Sequence, residues 1–200
     1  DRTVERILSA QPRRILEIGC GTGLLAFRLA PHCERYWGTD LSGVAIRRLQ
    51  ELKRSVAGVE HTTLLHKSAQ YFPSIDYLVR VLEGAVHAVA TGGSVFVGDV
   101  RSLPLLEAYH ASVQLYKAPS SLSCRHLRQR VRQHIAQEQE LVIDPAFFVA
   151  LKQHLPRISH VQIQPKRGRH HNELTRFRYD VTLHTGDGFA AMVDVPWVDW

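Results

Sequence analysis

Residues 16–23 read LEIGCGTG, three glycines at alternate positions directly behind an apolar run. The run is short and rich in branched residues, so RRILEIG predicts a buried strand. The glycines then open a helix through LLAFRLA, which Pro31 ends. A glycine turn in this place lets backbone pass close to a ligand, because glycine has no Cβ and tolerates positive φ. A lone Gly-x-Gly-x-Gly also suits a tight strand-to-helix turn, so the rest of the chain has to supply the site.

The flanks continue the alternation of strand and helix. Residues 2–10, with Val4, Ile7 and Leu8 on one face, predict a short helix stopped by Pro12. RYWGTD is a second strand ending at Asp40, and Ser42 is a plausible N-cap for a helix carrying Ala45, Leu49, Leu52 and Val56 up to Gly58. HTTLLH reads as a third strand. After YFPS comes a long amphipathic helix lined by Leu78, Val81, Leu82, Ala85, Val86 and Val89 and stopped by Gly92 and Gly93. SVFVGDV is another buried strand and LPLLEAYHASVQLY another helix. This pattern predicts an α/β fold with a parallel, doubly wound sheet. The last third differs. Residues 121–139 form an arginine-rich helical segment, and DPAFFVALKQHL begins with Asp at the cap and Pro at the first helical position. VQIQPKRGR and RFRYDVTLHTG then read as two strands without a helix between them, which should pair antiparallel.

Two hundred residues, 44% hydrophobic, fit one domain with one sizeable core. The chain opens on Asp1 and its only methionine is Met192, so residue 1 is not expected to be the start of translation, and the chain reads as part of a longer polypeptide. No apolar stretch is long enough to span a bilayer. Cys20, Cys33 and Cys124 have neither metal-ligand spacing nor an even count, which predicts free thiols in a reducing, cytoplasmic compartment. The formal charge of +6 suits an acidic partner.

An acidic residue about 20 positions beyond such a glycine turn can take a ribose diol. Asp40 stands 21 residues after Gly19. Position 24 is Leu rather than a glycine spaced for Gly-x-Gly-x-x-Gly, which shifts the expectation from a pyrophosphate-bearing cofactor to an adenosyl group without phosphates. Glu17 argues the same way, since a carboxylate suits a cationic ligand. LEIGCGTG and YWGTD resemble the class I S-adenosylmethionine-dependent methyltransferases. APHCERYWGTDLS, QYFPSIDYLVRVLEG, FVGDVRSLPLLEAYHASVQLY, DPAFFVALKQHLPRIS and KRGRHHNELTRFRYDVTLH extend the likeness to the methyltransferase domain embedded in nonribosomal peptide synthetases, over almost the whole chain.

That resemblance implies a Rossmann-like, mostly parallel sheet with a C-terminal antiparallel strand pair, formed by residues 1–200 as one domain with a helical insertion at 117–157. It implies S-adenosylmethionine as cofactor, held by Glu17, Gly19, Cys20, Gly21, Thr22, Gly23, Asp40 and Leu41. The expected reaction is N-methylation of an aminoacyl thioester on a carrier domain, with neighbouring adenylation and carrier domains as partners in secondary metabolite biosynthesis. Methyl transfer from a sulfonium to an amine is an in-line displacement that needs a neutral amine, a dry pocket and alignment.

Ligands of such sheets bind beyond the carboxyl ends of the strands. Tyr71 is expected near the pocket or packed in the core, and Asp99 and Arg101 at the rim after SVFVG, binding substrate with Arg178 or paired locally. His110 lies with Leu103, Leu106 and Val113 on one helical face, as a base or as a satisfied core histidine. Asn172, Glu173 and Tyr179 belong to the polar cluster NELTRFRY, with Glu173 as the preferred proton acceptor. Arg125, Arg128 and Arg132 recur at spacings of three and four, as a solvated basic face or as a dock for an acidic carrier domain. Nucleic acid is disfavoured because no aromatic residues accompany the arginines. His170 and His171 lack a third ligand at metal spacing, so no metal is expected.

TTLLHKSAQYFPS departs from the family. Gln70 follows Leu65 by five residues, where the family places an acidic residue near the adenine, a loop and a complete fourth strand, a loss of about 20 to 30 residues that includes the fourth strand, expected in the sheet centre, and the adenine-side carboxylate. Unpaired backbone at a buried sheet edge is costly. Either HTTLLH moves into the central slot, or the native chain has a segment that this sequence lacks, or the domain is a noncatalytic remnant serving as spacer or docking module.

Overall fold

The computed structural model describes residues 2–40, 42–66, 74–166 and 172–186. The chain divides into two compact units, residues 1–73 and 74–200. The fold is α/β, with one parallel and one mixed sheet.

In the first unit α1 (Arg2–Ser9), β1 (Arg14–Ile18), α2 (Ala26–Leu29), β2 (Arg35–Asp40), α3 (Gly43–Lys53) and β3 (Thr62–His66) follow in order. The three strands form a parallel sheet, β1-β2-β3. The helix expected through LLAFRLA is a single turn followed by a 3-10 turn at Ala30–His32. Positive φ at Gly23 delays its start and Pro31 stops it. Ser42 caps α3, its Oγ accepting from Ala45 N at 3.1 Å.

All three helices of this unit pack on one face of its sheet. Val4, Ile7 and Leu8 of α1 join Ala26, Leu29, Tyr36 and Val59 in one cluster, and Ile46 and Leu49 of α3 meet Cys20 and Leu64 in another. Paired residues of a parallel ladder point to the same side, so Leu16, Ile18 and Leu65 share the opposite face, where they are 54%, 46% and 41% exposed. Among the described strands β1 pairs only with β2. HTTLLH therefore does not move into the central slot: as β3 it stays on the far side of β2 through five paired residues.

The second unit contains α4 (Ile75–Ala88), β4 (Ser94–Ser102), α5 (Leu106–Tyr116), α6 (Cys124–Ala136), β5 (Val142–Ile143), α7 (Pro145–His154), β6 (Ile158–Pro165), α8 (Glu173–Arg176) and β7 (Arg178–Thr185). Its sheet order is β5-β4-β7-β6. The antiparallel pairing of β6 with β7 is as the sequence predicts, and β7 also runs antiparallel to β4. The core joins Leu78, Leu82 and Val86 of α4 and Phe148 and Leu151 of α7 to Val181 and Leu183 of β7. Asp144 caps α7, accepting from Ala146 N at 2.8 Å. No described helix is long and apolar enough to cross a membrane.

Candidate functional site

The glycine loop is built in the first unit. Gly19, Gly21 and Gly23 all have positive φ, and the N–H groups of Gly19 and Cys20 both donate to Thr39 O, at 2.8 and 2.9 Å, tying the loop to the end of β2. Asp40 completes the clasp. Its Oδ2 accepts from Gly21 N at 2.7 Å and its Oδ1 from Ser42 N at 2.8 Å. Each carboxylate oxygen keeps a second acceptor site, so Asp40 can still receive two hydroxyl donors.

The glycines differ in what they require. A Cβ at Gly19 or Gly21 would meet nothing within 4 Å, whereas one at Gly23 would lie 2.5 Å from Leu49 Cδ2 and 3.0 Å from Phe27 Cε2. The first two leave a cradle open on their outer side, and the third lets α3 approach. We expect Gly23→Ala to destabilise the first unit by about 1–3 kcal/mol through strain at positive φ together with the clash on buried Leu49. Urea titration followed by circular dichroism would measure this; Gly21→Ala, with φ strain alone, should cost less.

Glu17 lies beneath the loop. Burial raises its carboxyl above the ordinary value; a hydrogen bond donated by the Tyr36 hydroxyl opposes this, and Asp40 adds to the rise. Burial and the same two carboxylates push the Cys20 thiol up to about 11, so it stays protonated. The loop thus carries two acidic groups, Glu17 and Asp40, neither of which has a basic partner among the described residues, an environment that favours a cationic ligand. Thr22 belongs to the same turn; Leu41 and Tyr71 lie outside the described residues, as do His170 and His171.

In the second unit Asp99, Arg101, His110 and Arg178 meet in one charged network. Asp99 sits in a bulge of β4 at φ 65°, with its N–H donating to Asp180 Oδ1 at 2.9 Å. Its carboxylate pairs with Lys166 Nζ and with Arg178 Nη1, the latter at 2.8 Å. Arg101 stacks on Tyr109, 4.3 Å from the ring centroid, and points its guanidinium at Glu138 (2.9 Å) and Glu140 (3.0 Å). Arg178 reaches Glu140 Oε1 at 3.2 Å, linking the two halves. His110 is buried and its Nε2 lies 3.1 Å from Glu138 Oε2, within hydrogen-bond distance of the carboxylate. Burial pushes Glu138 up, but the Glu140 N–H, Arg101 and the Gln139 N–H outweigh it and hold the carboxyl below its ordinary value.

The sequence reading missed Glu138 and Glu140. The signal was available: they are the only carboxylates between Glu107 and Asp144, at alternate positions beside the arginine-rich segment. Tyr179 is separated from this network, because neighbouring strand residues face opposite sides. Its hydroxyl donates to Ile143 O at 2.9 Å and its ring packs against Phe148. Asn172 and Glu173 are exposed at the start of α8, where Asn172 O accepts from Thr175 N and Arg176 N. Among the described residues no group of three or more His, Cys, Asp or Glu could hold a metal ion, and all three cysteines are free.

Comparison with known proteins fits this geometry. A family model described as a methyltransferase domain matches residues 16–95, from the glycine loop into β4. Chondramide synthase of Chondromyces crocatus is 46% identical over all of this chain, and a nonribosomal peptide synthetase, penN, of Penicillium thymicola is 34% identical over 91% of it. The chain spans only 6% and 7% of the length of these relatives. The match to chondramide synthase runs over 220 positions against 200 residues here, so that relative carries positions without a counterpart in this chain. Among solved structures, the plantazolicin methyltransferase BamL in complex with a triazolic desmethylPZN analog and SAH superposes with a TM-score of 0.59 at 12% identity, covering 92% of this chain and 83% of that one. Residues 16–95 therefore match a methyltransferase domain, the chain has the fold of solved methyltransferases, and it is homologous to segments carried within nonribosomal peptide synthetases.

Proposed function

We propose that this chain is the S-adenosylmethionine-dependent N-methyltransferase domain of a peptide assembly line, acting on an aminoacyl thioester held by a carrier domain. The observation that carries the reading is the clasp between Asp40 and the glycine loop, which leaves the outer side of Gly19 and Gly21 open. The residues present fit the ribose and amino acid ends of the cofactor. Backbone of residues 19–23 would line it, Asp40 would receive the ribose hydroxyls, and Glu17 would face its positive charge. When bound, the cofactor supplies an electrophilic methyl group on a sulfonium.

The acceptor must be a neutral amine, and an α-amino group titrates near pH ~8. Only a modest push is then needed from a nearby acceptor or from desolvation. Glu173 is the preferred acceptor, with Tyr71, His110, Asn172 and Tyr179 as the other candidates. His110 starts from a disadvantage, since Glu138 already takes one of its ring nitrogens. Asp99, Arg101 and Arg178 would bind substrate, with Asp99 and Arg178 the more exposed of the three. We further propose that residues 1–200 work as one domain with 117–157 inserted in it, in the cytoplasm, and in contact with adenylation and carrier domains of the same chain.

The test is transfer of a labelled methyl group from S-adenosylmethionine to an aminoacyl-loaded carrier, followed by mass spectrometry. A single added methyl on the amino group supports the reading, and an unmodified acceptor under saturating cofactor contradicts it. A second reading, a noncatalytic remnant, is favoured by one observation: among the described strands β1 pairs only with β2, and its Leu16 and Ile18 are exposed.

A further inference from the structure

α6 is a 13-residue helix without a single carboxylate. Val131 is buried and Leu127 and Ile135 are half-buried, so the line from 127 to 135 faces inward, toward α5. At about 100° per residue, Arg125, Arg128 and Arg132 fall together on one flank of that line, and Arg130 on the other. All four are exposed, and none has an ion pair among the described residues. The nearby acids are already committed: Glu138 and Glu140 pair with Arg101 and Arg178. The arginine flank is therefore left uncompensated among the described residues of its unit.

The same hairpin exposes apolar surface. α5 ends at Tyr116, 92% exposed, beside Leu115 at 65%, and a seven-residue connection leads into α6. A basic stripe with an aromatic and an aliphatic anchor at one end matches a protein surface that is acidic with an apolar centre. It fits single-stranded nucleic acid less well, because α6 carries no Phe, Tyr or Trp and Tyr116 alone gives no run of platforms on which successive bases could stack.

We propose that the flank of Arg125, Arg128 and Arg132, with Tyr116 and Leu115, is the surface on which the acidic face of the substrate-bearing carrier domain docks. This rests on the reading of the chain as a carrier-dependent methyltransferase. The relatives carry most of their length outside the matched segment, and a tethered partner at an effective concentration of about 1 mM needs only weak, electrostatic recognition.

The test uses the whole 200-residue chain and, as probe, a fluorescently labelled, phosphopantetheinylated carrier domain of a nonribosomal peptide synthetase with net negative charge. Binding is followed by anisotropy at low and high salt. We expect binding that weakens as salt rises, loss of at least tenfold in the triple variant R125E/R128E/R132E, and recovery when carrier surface glutamates are exchanged for arginine. Unchanged circular dichroism and unchanged S-adenosylmethionine binding in the triple variant separate this surface from the cofactor site. Equal carrier binding by parent and triple variant, no recovery on charge exchange, or tighter binding of a single-stranded RNA probe than of the carrier would each overturn the proposal.

Discussion

Arg101→Met is expected to lower the stability of the second unit by about 3 kcal/mol, the scale for removing one partner of a buried ion pair. The side chain of Arg101 is 7% exposed and that of Glu138 15%, so the substitution leaves Glu138 with its charge but without its main cation. The methionine keeps much of the packing on Tyr109, which isolates the electrostatic loss. Adding Glu138→Gln should restore part of the stability, because the stranded charge is then gone; a double-mutant cycle in urea reads the coupling directly. The pH dependence follows with its own sign. Glu138 is held below its ordinary value in the folded protein, so its contribution is present above the usual carboxylate range and is lost as pH falls through that range and below it. Arg101→Met should flatten this acid slope. Two single variants within 0.5 kcal/mol of the parent, on the scale of exposed pairs, would show that the network contributes no more than a surface pair.

Asp40→Ala should weaken S-adenosylmethionine binding at least tenfold, about 1.4 kcal/mol. Two losses combine. The receptor for the ribose hydroxyls disappears, and Gly21 N and Ser42 N lose the oxygens that now hold the loop against β2. Asp40→Asn separates the terms, since an amide keeps one acceptor oxygen and presents a donor where the second stood. An intermediate affinity for Asn, with the thermal transition of the parent, is the expected outcome by calorimetry. Equal affinity for Asp, Asn and Ala would remove Asp40 from the cofactor site.

Much of this frame was legible because strand and helix periodicity survive in short windows. β1 and β2 fall where the apolar runs and the Asp40 stop place them, and Ser42 and Asp144 cap the helices that follow them. What was not legible depends on tertiary pairing. β5 has only two residues, too few for an alternation, and it exists because Val142 and Ile143 meet Arg101 and Ser102. The single turn of α2 is masked in the sequence by seven helix-forming residues, whose propensity yields to the loop before them and the proline after them. The short spacing from Leu65 to Gln70 announced a missing strand, but which strand would keep its place depended on the five paired residues that hold β3 to β2.

For the site, residue types pointed to the acidic glycine loop but not to its internal bonding. Asp40 reads as a ribose ligand from spacing alone; that it also accepts from Gly21 and Ser42 follows only from the way β2 ends beside the loop. Likewise Arg101 and His110 were recognisable as unusual, while the carboxylates that satisfy them arrive from 28 to 39 residues further along the chain.

The central claim is that the glycine loop still receives its cofactor although, among the described strands, β1 pairs only with β2. The most direct measurement is calorimetric titration of the 200-residue chain with S-adenosylmethionine, with S-adenosylhomocysteine as a second ligand. Saturable one-to-one binding, weakened in Asp40→Ala, is the predicted result. A folded chain that takes up neither ligand would contradict the account and leave the noncatalytic remnant as the better description.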